Sequence, residues 1–132
     1  MRSLVIGVDL GTSGVRAVAV DRSGLVVGNA ARGYQILAPN PGYAEQDPEE
    51  WWRSTCQALR ECITMSGHSI IEGIGFSGQM HGTVLIDPAG GVVRPAIIWP
   101  DQRSGGSCRR FVARVGADWL AARTQNSLAT GF

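Results

Sequence analysis

Asp9-Leu10-Gly11-Thr12-Ser13-Gly14 places a carboxylate, two glycines and two hydroxyls within six residues, between two apolar runs. A glycine-bearing turn lets backbone N–H groups approach an anion closely, and Thr12 and Ser13 add hydroxyl donors. A carboxylate at a strand end beside such a turn can hold a divalent cation, which for Mg2+ keeps several of its waters. The same residues would also make an ordinary hairpin turn in which Asp9 and Thr12 merely cap backbone groups. Two common nucleotide loops are excluded. The dinucleotide fingerprint needs G-x-G-x-x-G opening a helix, and the P-loop needs a lysine after glycine. Here the glycines are spaced differently, a strand follows, and the chain contains no lysine. What remains is a hairpin that presents its tip to phosphate.

Two further polar clusters follow apolar runs. Ser77-Gly78-Gln79-Met80-His81-Gly82 comes after Ile70–Phe76, and Trp99-Pro100-Asp101-Gln102-Arg103 comes after Val92–Ile98. In open α/β sheets ligands sit outside the carboxyl ends of strands, so three clusters in such places are expected to converge on one cleft. A lone histidine is more often structural than functional, so His81 carries little weight by itself.

The elements that must position these clusters are legible from periodicity. Leu4–Val8 is short and β-branched, and Val15–Val20 and Leu25–Val27 follow across Gly11–Gly14 and Asp21–Gly24, which predicts an antiparallel meander with strands near 3–9, 14–21 and 24–33. Leu37–Tyr43, with two prolines and a glycine, reads as loop. Asp47-Pro48-Glu49-Glu50 supplies an N-cap, a proline at the first helical position and acids in the first turn. The helix it opens is expected to bury Trp52, Thr55, Cys56, Leu59, Cys62 and Ile63 and to end at Gly67, with Trp51 and Trp52 docking its start. Ile70–Phe76 reads as a buried strand, Thr83–Ile86 and Val92–Trp99 as a hairpin, Ser107–Val115 as a helix and Asp118–Arg123 as a helical turn. No repeat or low-complexity tract is present.

A chain of 132 residues with 44% hydrophobic residues fits one soluble domain. Twelve arginines against 11 acids give a net charge of +1, with no bulk electrostatic case for nucleic acid or an anionic membrane. Cys56, Cys62 and Cys108 match neither a disulfide framework nor a zinc pattern and read as reduced, small hydrophobes. Leu4–Val8 is too short for a signal-peptide core, and no transmembrane run is present, so the cytoplasm is the expected location.

The motifs, taken together, resemble the FGGY family of carbohydrate kinases in its N-terminal part, nearest to the xylulokinase branch. The resemblance runs almost end to end. It comprises Gly7–Arg16, Glu45-Gln46-Asp47-Pro48 with Trp51-Trp52, Gly78-Gln79-Met80-His81-Gly82, Pro95–Trp99, Asp101 with Arg103, Thr124 with Asn126, and Gly131-Phe132. The first motif is shared with actin-like and Hsp70-like ATPases. The Gly-Gln-Met-His-Gly motif is more specific and points to the pentulose branch.

The resemblance implies a ribonuclease H-like (actin/hexokinase-type) α/β domain, a mixed sheet opening on the three-strand meander and incomplete at its C-terminal end. It implies ATP-dependent phosphorylation of a pentulose, D-xylulose to its 5-phosphate, with Mg2+. Asp9 would sit near the metal; Gly11, Thr12, Ser13 and Arg16 would hold phosphate; Gln79, Met80, His81, Trp99 and Asp101 would face the sugar. Family members are several times longer and have two domains; their general base and most of the adenosine site would lie beyond Phe132. No catalytic residue is therefore assigned within this chain, which is expected to be a truncated N-terminal domain, inactive alone. Alternatives are a non-catalytic fragment that binds sugar or a partner subunit, and a kinase for ribulose, gluconate or a polyol. Pro100 replaces a residue commonly small and polar in the family, and Gln125 stands where glycine is usual. An unfinished sheet should expose apolar surface and favour self-association.

Overall fold

The computed structural model describes residues 2–131. The chain divides into two compact units: Met1–Gln35 with Asp47–Gln79, and Ile36–Gln46 with Met80–Phe132.

The first unit is a sheet with one helix. Strands β1 (Arg2–Leu10), β2 (Gly14–Asp21), β3 (Val26–Gly33) and β5 (Ser69–Gly78) lie in the order β3-β2-β1-β5. β1 and β2 are antiparallel, as are β2 and β3, whereas β5 runs parallel to β1. This is the predicted meander extended by a parallel strand. The β2–β3 turn is built by Asp21, whose carboxylate accepts from the N–H groups of Ser23 and Leu25 at 2.9 and 3.1 Å.

Period-two alternation sorts the sheet into two faces. Leu4, Ile6 and Val8 of β1 point inward with Val15, Ala17 and Ala19 of β2 and Ala30 of β3, while Val5, Gly7 and Asp9 point the other way. Burying a side chain such as Leu4 or Ile6 stabilises by about 2 kcal/mol. The inward face receives α1 (Pro48–Met65), which opens as expected on Asp47, whose side chain accepts from Glu49 N–H.

The buried stripe of α1 differs from the predicted one. Thr55, Ala58 and Cys62 face the sheet with Ser54, whereas Trp52 is 67% exposed and Ile63 is also exposed. The cause is close approach: α1 lies on the small residues Ala17, Ala19, Gly28 and Ala30, so it too presents small side chains. A Cβ at Gly28 would fall 2.4 Å from the Cys62 carbonyl oxygen, leaving no room for a larger residue. Burial pushes the Cys62 thiol above its ordinary range, as befits an inert packing group.

β5 also departs from expectation. It is exposed along nearly its whole length, with Ile70, Ile71, Ile74 and Phe76 all open to solvent. It forms an outer edge of the sheet, and α1 packs on β3 and β2 instead.

The second unit has little regular structure. The predicted hairpin is reduced to the bridges Thr83↔Ile97 and Ile86↔Val92, and β6 (Ala96–Ile97) pairs instead with β4 (Glu45–Gln46). Helices α2 (Gly105–Val115) and α3 (Ala117–Thr124) follow. The unit's buried residues include Ala44, Ala96, Ile98 and Leu120, and also Glu45, Gln46 and Asp101. It is thus held by a polar network as much as by apolar packing. Among the described residues no helix is long and apolar enough to cross a membrane.

Candidate functional site

In the first unit, strand register brings the first cluster to the beginning of the second. Asp9 on β1 stands opposite Arg16 on β2 and, on its other side, opposite Ser77 on β5. The three residues form one row across the outward face of the sheet. In the next row Gly7 lies between Val18 and Gly75. A Cβ at Gly7 or Gly75 would meet nothing within 4 Å, so these glycines leave the floor of a trench open beside the carboxylate. The trench encloses about 440 Å³ and is lined by Gly7, Asp9, Arg16, Gly75 and Ser77, among others. A second hollow of about 340 Å³ lies between Asp9, Arg16, Gly11, Ser13 and Arg32, so Asp9 and Arg16 form the rim common to both.

The hairpin tip is built rigidly. Gly11 N–H donates to Gly14 O at 2.9 Å, closing the turn, so the Gly11 amide itself is engaged. The Tyr34 hydroxyl donates to Gly11 O, and Tyr34 N–H donates to Ser13 O at 3.2 Å, tying the tip to the end of β3. Burial, with the nearby Asp9 carboxylate, raises the Tyr34 phenol and keeps it a neutral donor. Gly14 packs against the β3 backbone, where a Cβ would fall 2.4 Å from Arg32 O. Thr12 is half-buried and Ser13 exposed.

These groups suit a Mg2+-bound phosphate. Among the described residues no group of three or more His, Cys, Asp or Glu could hold a metal. An exposed single carboxylate beside hydroxyls and an open glycine floor is instead the donor set that Mg2+ uses when phosphate and water fill its remaining positions. Asp9 would hold it, with Ser13 and Arg16 facing phosphate.

Gln79 ends the first unit; its N–H donates to Leu10 O at 2.8 Å and its side-chain oxygen is buried. In the second unit His81 takes a left-handed backbone, φ 64°, which a non-glycine residue adopts only at a cost. It lines a pocket of about 140 Å³ with Thr83, Ile97, Ile98, Arg103, Ser104 and Gly131. Met80, 71% exposed, and Trp99, 47% exposed, do not line it. Gly131 fixes the backbone under Trp99: it adopts φ 79°, and a Cβ there would fall 1.9 Å from Trp99 O.

Asp101 is 1% exposed. Its Oδ2 accepts from Ala44 N–H at 2.7 Å and from Arg103 Nη2 at 2.7 Å, and its Oδ1 accepts from Arg103 N–H and Nε at 2.9 Å each. Burial by itself would push this carboxyl up; the bonds from Arg103 and Ala44 outweigh it and hold the carboxyl below the ordinary value. With every one of these donors directed at it, Asp101 reaches the pocket through Arg103. The sequence motifs include Ser77, Glu45 and Arg103 without giving them a site role, and Thr83 and Ser104 are assigned none either. The i,i+2 spacing of Asp101 and Arg103 was the available signal for Arg103; Glu45 and Ser77 join only through pairing across distant segments.

Comparison with known proteins gives the family and the fold. Residues 4–132 match the FGGY family of carbohydrate kinases, N-terminal domain. The chain is 40% identical over 128 residues to the xylulose kinase of Staphylococcus xylosus and 41% identical over 130 residues to that of Bacillus subtilis, in each case 97% of this chain. It spans 26% of the length of both. The xylulose kinase of Rhodospirillum rubrum superposes with a TM-score of 0.93 at 34% identity, covering 98% of this chain and 27% of that one. The glycerol kinase of Plasmodium falciparum shares the fold, with a TM-score of 0.92 at 20% identity over 99% of this chain and 27% of its own. The mixed sheet is therefore that of the actin/hexokinase-type, ribonuclease H-like ATPases. Within that class, the chain belongs to the FGGY family of carbohydrate kinases and corresponds to its N-terminal domain.

Proposed function

We propose that this chain is the phosphate- and sugar-binding portion of an ATP-dependent pentulose kinase that converts D-xylulose to D-xylulose 5-phosphate, and that it does not turn over alone. The observation that carries the reading is the row Arg16–Asp9–Ser77 beside a rigid glycine hairpin, in a chain whose relatives are xylulose kinases along essentially its whole length.

Phosphoryl transfer asks little covalent chemistry of the protein; it needs in-line positioning and stabilisation of spread negative charge. ATP with Mg2+ supplies the transferable phosphoryl group and neutralises part of its charge. Asp9 holds the metal through its exposed carboxylate, the tip residues Thr12 and Ser13 donate to phosphate oxygens, and Arg16 adds a fixed positive charge. Tyr34 keeps the tip from collapsing. His81, fixed by its unusual backbone, hydrogen-bonds sugar hydroxyls, with Gln79, Met80 and Trp99 contributing nearby surface. Neither Asp9 nor Asp101 serves as the base. Asp9 is a metal ligand, and Asp101 accepts hydrogen bonds at both oxygens and stays ionised.

Amide NMR on the 15N-labelled chain tests both halves. Mg2+–ATP should shift residues 9–16 and 77, and D-xylulose should shift residues 79–83 and 97–104. A folded sample in which neither ligand shifts its region contradicts the reading.

A further inference from the structure

The second unit holds a guanidinium whose surroundings are more elaborate than packing requires. Arg103 Nε and Nη2 bond the Asp101 carboxylate, and Nη2 also lies 2.7 Å from Glu45 Oε1. The Tyr43 ring stacks on it, 3.8 Å from guanidinium carbon to ring centroid. Glu45, itself buried, pairs with a second arginine, Arg94. The pairs Arg103–Asp101, Arg103–Glu45 and Arg94–Glu45 therefore join two positive and two negative groups whose charges sum to zero. Nη1 takes part in none of these bonds, and Arg103 lines the pocket that contains His81, Thr83 and Ser104.

We propose that Arg103 is a specificity-determining contact of this pocket: clamped and charge-balanced by Asp101, Glu45 and Tyr43, it donates to hydroxyls of a neutral ketose or polyol and disfavours a sugar acid. The inference rests on the sugar-kinase reading above and adds the residue that discriminates a neutral acceptor from an acidic one.

Two physical arguments carry it. A guanidinium fixed by two carboxylates and an aromatic face loses little side-chain freedom when a ligand arrives, so a further hydrogen bond from it is preorganised. Its positive charge is already compensated within the cluster. A hydroxyl needs only the donor, whereas a carboxylate must be desolvated and finds no uncompensated cation in this network to offset that. A neutral ligand is thereby selected over an acidic one of the same size.

The test is isothermal titration of the full 132-residue chain with D-xylulose, xylitol and D-xylonate, the last two matched in carbon number. Wild type should bind the neutral pair at least about tenfold tighter than xylonate. Arg103→Met should weaken neutral binding by roughly tenfold, the scale of a lost charge-assisted hydrogen bond. Arg103→Lys, which keeps the charge but loses the fork, should also weaken it, and serves if the Met variant unfolds. Glu45→Gln leaves one positive charge uncompensated and should raise xylonate affinity relative to xylitol, a shift that loss of packing does not produce. Equal binding of xylitol and xylonate, or a ratio unmoved by Glu45→Gln, overturns the inference alone. No binding of any of the three sugars by the folded chain overturns the sugar-kinase reading, and the inference with it.

Discussion

Asp9 and Ser77 stand directly opposite each other where β1 and β5 run parallel, so a carboxylate from the first polar cluster and a hydroxyl from the second share one face of the sheet. Residues 68 positions apart in the chain are neighbours because a parallel crossover through α1 returns the backbone to β1. On the proposed role of Asp9, Asp9→Asn should cost Mg2+–nucleotide affinity at least about tenfold, since the residue proposed to hold the metal loses its charge. Asp9 is exposed, so the melting temperature should stay within about 2–3 °C of wild type, as for other surface substitutions. Titration calorimetry with and without Mg2+, beside a thermal melt, checks both.

Gln125 caps α3 with φ 53° and ψ 25°, the left-handed conformation that glycine adopts without strain. The position noted as departing from the family's usual glycine thus has a physical reading. Gln125→Gly relieves strain of about 1 kcal/mol, partly offset by the greater freedom of an unfolded glycine. The net expectation is a gain of about 0.5 kcal/mol in urea unfolding. A loss of stability on this substitution would show that the Gln125 side chain contributes something the cap geometry does not.

Most of the first unit was legible in the sequence. The meander, the turn at Asp21 and the start of α1 at Asp47 all rest on local rules, alternation and capping, that need no knowledge of distant neighbours. What was not legible depends on who lies opposite. Trp52 and Ile63 fit an apolar stripe, yet the sheet beneath α1 is paved with Ala17, Ala19, Gly28 and Ala30, which select Ala58 and Cys62 instead. Ile70–Phe76 has the composition of a buried strand, but burial depends on what covers a face, and α1 lies elsewhere. In the second unit, the family resemblance implied that Asp101 faces the sugar. Its burial and its bond to Ala44 N–H, across 57 residues, depend on a distant segment that its own cluster does not show.

The Asp101 network should give the fold a particular acid sensitivity. A carboxyl held below its unfolded value stabilises the native state above that value and stops doing so as the pH falls through the lower folded one. Asp101 has an ordinary value of 3.8 and is lowered from it, and Asp21 and Glu72 are lowered as well. Stability should hold from neutral pH to about 4 and fall steeply below that. Asp101→Asn should be destabilised at pH 7, by about 3 kcal/mol for breaking a buried ion pair, and should lose less on acidification than wild type. Thermal melts at a series of pH values between 7 and 2.5 read this, and parallel curves for the two proteins would refute it (about 3.9 being the unfolded Asp value).

β5 presents an unpaired edge together with Ile70, Ile71, Ile74 and Phe76. Such edges template association. Sedimentation at increasing concentration should show self-association, and Ile74→Lys with Phe76→Lys should shift the chain toward monomer. Unchanged sedimentation of the double variant would place any association on another surface.

The central claim is that this chain carries the phosphate and sugar contacts of a xylulose kinase, and phosphoryl transfer in a full-length context tests it most directly. Residues 4–132 can be grafted in place of the matching quarter of the Bacillus subtilis xylulose kinase, to which the chain is 41% identical. The chimera should phosphorylate D-xylulose with ATP, and Asp9→Asn within the graft should lower the rate by at least about a hundredfold, the scale of losing a metal-ion or oxyanion contact. A folded chimera that does not phosphorylate D-xylulose, or one whose rate is indifferent to Asp9, would contradict the account.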